Sequence, residues 1–270
     1  MAVTLLDITV GTKDFRRALQ AVVPHAHTKP EEWPELARVR CHIDRENLMT
    51  SATDRYTAAL GLCSVWSDDF TAASDVGLID LSLEQIKKIL AVFKLGGKTS
   101  SEDDEPEWQL RIQLVASSDT DSASLFVRFT DISGLIPGEQ LEMPALPVDD
   151  QMPKLPETFA RFAQTPAGVL DVFGITGTLI SRFKVAAAVY NEPLLMTAMG
   201  FEGRSPMLVR CGDSFLGVVT PRRFDEDQTL KHKEWLADWI TRLPPPATVV
   251  DLNPTRDTSE ERTDDASDND

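Results

Sequence analysis

Residues 76–94 read VGLIDLSLEQIKKILAVFK, and this stretch decides the fold. VGLIDL is a short apolar run of the kind that fills a buried strand. Ser82 follows where a helix N-cap belongs, and Gln85 stands three residues on, placed to return a hydrogen bond to the cap as in a capping box. Beyond it Leu83, Ile86, Ile89, Leu90 and Phe93 recur at helical spacing and form one apolar face, leaving Lys87, Lys88 and Lys94 toward water beside Glu84. Three strand-like runs come next, WQLRIQLVA (108–116), ASLFVRFTD (123–131) and EQLEMPAL (139–146). The unit therefore reads β-α-β-β-β.

The same order recurs on both sides of it. Upstream, LLDITVG (5–11), Thr12 as cap and KDFRRALQAVVPH (13–25) precede ELARVRCHI (35–43), LMTSATD (48–54) and YTAALGLCSV (56–65). Downstream, VLDVFGI (169–175), Thr176 as cap and GTLISRFKVAAAVY (177–190) precede PLLMTAM (193–199), PMLVRCG (206–212) and FLGVVTP (215–221). The strand-rich share argues for an α+β protein and against a parallel βαβ sheet. One such unit leaves a sheet face bare, so units must pair to close a core. Two units make a domain over residues 1–155, ending in the Pro-rich connector LPVDDQMPKLPE (146–157), and residues 156–224 hold a third unit without an obvious partner.

The polar helix faces carry the sharpest signal. Lys13, Arg16, Arg17 and Gln20 fall at i, i+3, i+4 and i+7 and stack on one stripe, opposite Phe15, Ala18, Leu19 and Val22. The second helix repeats the asymmetry with Lys87, Lys88 and Lys94, and the third more weakly with Arg182 and Lys184. On any one helix such cations are an ordinary solvated face. Three repeats in an acidic chain form a pattern, because the 270 residues hold 27 Lys and Arg against 43 Asp and Glu, a net charge of −16.

Half of that excess lies in the last fifth. Phe224 to the C-terminus carries 13 acids and 5 bases. Residues 225–246 read as an amphipathic helix over 227–243, with Leu230, Trp235, Leu236, Trp239 and Leu243 roughly on one face, stopped by Pro244-Pro245-Pro246. Residues 247–270 are too polar to repay ordering and are expected to be a disordered acidic tail. No run approaches the ~20 apolar residues of a membrane span, and the N-terminus lacks a signal-peptide pattern, so a soluble, cytoplasmic protein without membrane contact is expected. Cys41, Cys63 and Cys211 are odd in number and widely spaced, which fits small core residues better than disulfides or a zinc site.

At these residues the chain resembles the bacterial replicative sliding clamp, the beta subunit of DNA polymerase III, as a divergent and shortened member. DFRRALQAVVPHAHT (14–28) with PELARVRCHI (34–43) is similar to the clamp's first helix and second strand, and LMTSATDRYTAAL (48–60) to its T-x-T-D strand pair. The connector at 146–157 looks like the loop that leaves a clamp domain, and SPMLVRCGDSFLGVVTPRR (205–223) resembles the last two strands. The resemblance implies a clamp fold with helices inside and sheets outside, acting as a non-enzymatic processivity factor: a homo-oligomeric ring around duplex DNA, nucleoid-associated, serving a polymerase and a clamp loader and needing no cofactor or metal. It implies that Lys13, Arg16, Arg17, Gln20, Lys87, Lys88, Lys94, Arg182 and Lys184 face DNA. It also implies that Val218, Thr220, Pro221 and Arg222 edge an apolar pocket for a partner peptide, although clamps usually carry larger apolar residues where Thr220 and Arg222 stand. The extension after Arg223 is a departure, and its helix is placed to cover the pocket or a subunit edge. Twelve units per ring and three per chain make a tetramer arithmetically possible. The alternative is a clamp-derived adaptor that binds proteins and encircles nothing.

Competing chemistry fails on context. Gly97-Lys98-Thr99 matches the end of a phosphate-binding loop, but Val92 stands where that loop needs Gly and the segment follows a helix. Gly212-Asp213-Ser214 reads as a hairpin turn, since no Asp-x-x-His closes a hydrolase site late in the chain. His25 and His27 sit at a helix exit beside Pro24, with only His42 and His232 as further histidines. Asp103-Asp104-Glu105 is solvated loop charge, and Trp33, Trp66 and Trp108 are expected to pack at strand ends rather than stack on bases. No catalytic constellation emerges.

Overall fold

The computed structural model describes residues 2–69, 77–95, 108–119, 122–168, 173–200, 206–222 and 224–242. Strand β1 (Ala2–Gly11) runs into α1 (Thr12–Val22), and β2 (Arg38–Ile43), β3 (Asn47–Thr53) and β4 (Thr57–Asp69) follow. The unit is then repeated as β5 (Gly77–Ser82), α2 (Leu83–Val92), β6 (Gln109–Asp119), β7 (Ser122–Asp131) and β8 (Gln140–Pro144). The chain continues through α3 (Leu155–Gln164), α4 (Gly177–Ile180), α5 (Phe183–Tyr190), β9 (Leu194–Ala198), β10 (Met207–Cys211), β11 (Phe215–Val219) and α6 (Glu226–Arg242). The α+β class stands, and the first two units keep the β-α-β-β-β order; in the third, the described residues 173–175 of the expected first strand form only an isolated bridge, Gly174 opposite Arg222. The segments around 97–99 and 103–105, residues 169–172 of the strand expected at 169–175, and the acidic tail lie outside the described residues.

Local signals act where they were read. The N–H of Gln85 donates to Ser82 Oγ (3.2 Å) and the N–H of Ser82 donates to Gln85 Oε1 (2.9 Å), closing the capping box, which is worth about 1 kcal/mol. The other caps differ. Gly11, not Thr12, holds the N-cap position of α1, and Thr176 before α4 makes no side-chain cap bond. The third helix is broken in two: Ser181 Oγ donates back to the carbonyl of Thr178 (2.9 Å), and the chain leaves the helical ladder at Ser181–Arg182.

The strands explain why units need each other. β1 pairs antiparallel with the far end of β4 in its own unit, Asp7 opposite Asp69, and on its other edge with β6, Ile8 opposite Ile112, while β5 pairs with β2, Val39 opposite Leu81. The first strand of each unit thus pairs with a strand of the other, and the contact of β4 with β1 joins β5-β2-β3-β4 to β1-β6-β7-β8 in one continuous order. The third unit is not left alone either. β11 pairs with β4, Phe215 opposite Gly61 through Val219 opposite Thr57, so β9-β10-β11 extends the first sheet.

The three unit helices bury their apolar faces in one core. Phe15 and Leu19 of α1, Ile86 and Ile89 of α2 and Phe183 of α5 join Ile8, Ile43, Leu110, Phe129 and Val209 of the sheets. Each such buried side chain stabilises by about 1.5–3 kcal/mol. Two glycines let helices seat closely on the strands. A Cβ at Gly61 would lie 2.9 Å from the Ala18 backbone, and one at Gly217 would lie 2.4 Å from the Phe183 ring. His25 belongs to this core, its ring 4.6 Å from Phe183, and burial lowers its pKa to about 3. The three cysteines are buried free thiols, raised by desolvation.

The connector expected at 146–157 is pinned rather than loose. Asp80, with no exposed side-chain surface, accepts from Arg40 Nε (2.7 Å), Arg40 Nη2 (2.9 Å) and Arg38 Nη1 (3.2 Å). The same arginines donate to the carbonyls of Asp149 (2.6 Å) and Pro147 (3.1 Å). Helix α3, started by a proline in its first turn, follows and sets Leu155 and Phe159 against Met152, Leu60 and Val218. Alternation along β4 shows the geometry: Ala59 faces the main core and Leu60 faces α3, so α3 lies on the sheet face opposite α1 and α5.

The chain divides into two compact units, Met1–Arg223 and Phe224–Asp270. In the second, α6 begins with a capping box absent from the sequence reading: Gln228 N–H donates to Asp225 Oδ1 (2.7 Å) and Asp225 N–H donates to Gln228 Oε1 (3.3 Å).

Candidate functional site

Two features stand on opposite faces of the β3-β4-β11 sheet. The first is the helix layer. Helix α1 packs against α5, and Arg16 of α1 reaches the C-terminal end of α2, where Nη1 donates to the carbonyls of Leu90 (2.7 Å) and Phe93 (2.6 Å). Those carbonyls are among the four a helix end leaves unpaired, and a guanidinium there also meets the negative end of the helix dipole. Lys87, Lys88, Lys94 and Lys184 are exposed on this layer. Lys13, Arg17 and Gln20 are half-buried, and Arg17 lies 3.7 Å from Asp14, a loose surface pair. Arg16 is differently placed from the rest of its stripe: its guanidinium is a cap, and burial lowers its pKa.

Arg182 likewise turns inward. Its Nη1 donates to Asp54 Oδ2 (2.5 Å) and to Thr57 Oγ1 (2.7 Å) in the turn between β3 and β4. Asp54 organises that turn, since its Oδ1 accepts from the N–H of Tyr56 (3.1 Å), the N–H of Thr57 (2.9 Å) and Thr57 Oγ1 (3.2 Å). Burial alone pushes the Asp54 carboxyl up, but the Thr57 N–H, the Arg182 guanidinium and the Tyr56 N–H outweigh it and hold the group below the usual range. Arg55 takes a left-handed φ of 79° at the tip, with its guanidinium 3.9 Å from the centroid of Trp33.

The second feature is a groove of about 380 Å³ on the other face, at the seam where the first and third units meet. Its walls are the turn residues Tyr56 and Ala58, Leu155, Thr158 and Phe162 of α3, and Val218 with Thr220. The N–H of Thr220 donates to the carbonyl of Tyr56 (3.1 Å), which joins the two walls. A neighbouring groove of about 420 Å³ continues the apolar strip through Met49, Leu60, Leu62 and Leu216. Of the four expected pocket residues, Val218 and Thr220 line the groove. Pro221 is buried, and the N–H of Arg222 donates to the carbonyl of Gly174 (2.6 Å) while its side chain is exposed.

The sequence reading missed the β3–β4 turn and α3 as walls. Both left a trace: Asp54 four residues from Ala58 in TDRYTA is an Asx-turn pattern, and Leu155, Phe159 and Phe162 in LPETFARF keep helical spacing. Among the described residues no cluster of His, Cys, Asp and Glu is placed to hold a metal, and no helix is long and apolar enough to cross a membrane.

The sequence matches no protein-family model and no curated protein. Among solved structures the chain is similar to the beta subunit of DNA polymerase III from Thermotoga maritima, at 14% identity and a TM-score of 0.48, with 82% of this chain and 66% of that chain covered. The chain thus spans slightly less than two thirds of that protein's length.

Proposed function

We propose that the protein is a DNA sliding clamp, a processivity factor that surrounds duplex DNA as a homo-oligomer and tethers a polymerase, with a clamp loader opening the ring. The observation that carries this reading is the single helix layer: an acidic chain exposes Lys87, Lys88, Lys94 and Lys184 there, with Arg17 beside them. Lysines on helices attract phosphates without reading bases, so a ring held by topology slides. Residues 1–155 form one two-unit clamp domain in this reading, and 156–224 supply a further half-domain. The groove at the seam takes a short apolar segment of the polymerase on the far side of the sheet from DNA. No step of covalent chemistry is assigned.

Retention on a nicked circular plasmid tests the ring. The protein stays bound through a high-salt wash and is released when the plasmid is linearised. Lys87→Glu with Lys88→Glu weakens binding and lowers the slope of log affinity against log salt by about 2. Equal release from circular and linear DNA refutes the ring.

A second reading, a clamp-derived adaptor that encircles nothing, is supported by Arg16 and Arg182, which spend their guanidiniums inside the chain. A monomer in solution that still binds apolar peptide at the groove decides for the adaptor.

A further inference from the structure

Helix α6 carries two features that the helix layer and the groove do not use. One is an aromatic face. The rings of His232 and Trp235 stack at 5.7 Å, those of Trp235 and Trp239 meet edge-on at 6.0 Å, and Leu236 lies alongside. Trp235, Leu236 and Trp239 nonetheless remain 54%, 49% and 44% exposed. Two half-exposed tryptophans on one helix leave a large apolar area to be covered.

The other feature is a charged stripe flanking that face. At ~100° per residue, Asp227, Lys231, Asp238 and Arg242 fall on one line at i, i+4, i+11 and i+15. Their signs alternate, and no ion pair joins any two of them within the helix. Asp227 with Arg242 and Lys231 with Asp238 are centred on the same point, between Glu234 and Trp235. A single twofold axis through that point therefore sets each acid opposite a base.

We propose that α6 pairs antiparallel with α6 of a second copy of this chain, aromatic face to aromatic face. Asp227 then faces Arg242 of the second copy and Lys231 faces its Asp238, each twice by symmetry. A parallel pair would oppose Asp227 to Asp227 and Lys231 to Lys231, so the charges select the antiparallel register. Apolar burial around the tryptophans supplies the affinity, and the rim charges supply the orientation. The pairing is independent of what the helix layer binds.

Sedimentation of the full chain as a function of concentration tests it. Trp235→Glu with Trp239→Glu halves the mass of the assembly or weakens its association by at least about tenfold. Lys231→Asp alone weakens it, and adding Asp238→Lys to Lys231→Asp returns the affinity to within about threefold of the parent. Thermal unfolding of the main body, unchanged in each variant, shows that folding is intact. A mass unaffected by the tryptophan changes overturns the proposal, as does failure of the paired charge exchange to restore association. A parent chain that stays monomeric also overturns it: buried tryptophan emission then assigns the face to the same chain, and exposed emission assigns it to a different protein.

Discussion

Replacing Arg182 with alanine removes the two hydrogen bonds that its Nη1 makes to the turn of the first unit, at Asp54 and at Thr57. The Asp54 carboxylate, only 7% exposed, keeps its three donors on Oδ1 and loses the one described on Oδ2. A hydrogen bond to a charged group is worth about 1.5–3 kcal/mol, and the partial exposure of Arg182 screens the pair, so the expected loss is about 2 kcal/mol. For a unit of this size that lowers Tm by about 4–8 °C. The pH dependence carries a sign. Asp54 has a depressed folded pKa, so its contribution is present above the unfolded value of about 3.9 and fades as pH falls through the folded one. Urea unfolding of the parent and of Arg182→Ala therefore differs most near neutral pH and converges below about pH 4. A gap that stays constant down to pH 3.5, or one below about 0.5 kcal/mol at pH 7, refutes the reasoning.

Two further outcomes follow from the packing. Asp80→Ala strands Arg40 and Arg38 beneath the connector and costs about 3–5 kcal/mol by chemical denaturation, the toll of breaking a buried pair. Gly217→Val drives a side chain into the Phe183 ring and costs about 1–3 kcal/mol; combining it with Phe183→Leu recovers part of that loss in a double-mutant cycle.

The layer and the groove also suggest how the two faces communicate. Arg182 belongs to the segment between α4 and α5 on the helix side, yet its contacts shape the turn that forms a groove wall on the other side. Arg182→Ala is expected to lower affinity for an apolar peptide at the groove more than it lowers retention on DNA, measured by fluorescence anisotropy and plasmid retention in the same preparation.

What the sequence determined alone was local and periodic. The Ser82–Gln85 capping box, the buried faces of α1 and α2, and the run of short strands in each repeat all depend on neighbours within a turn or two of chain, so residue spacing was enough to read them. Tertiary structure alone decided the pairing of β1 with β6, of β5 with β2 and the seam of β4 with β11, because a strand's pattern records that one face is buried but not which distant edge completes its hydrogen bonds. The same holds for the cations. Lys87 and Arg16 look alike on a helical wheel, but only the packed molecule puts the carbonyls of Leu90 and Phe93 within reach of Arg16, and Asp54 within reach of Arg182. A long side chain's role is set by what lies at its far end, and that is fixed by contacts many tens of residues away in the chain.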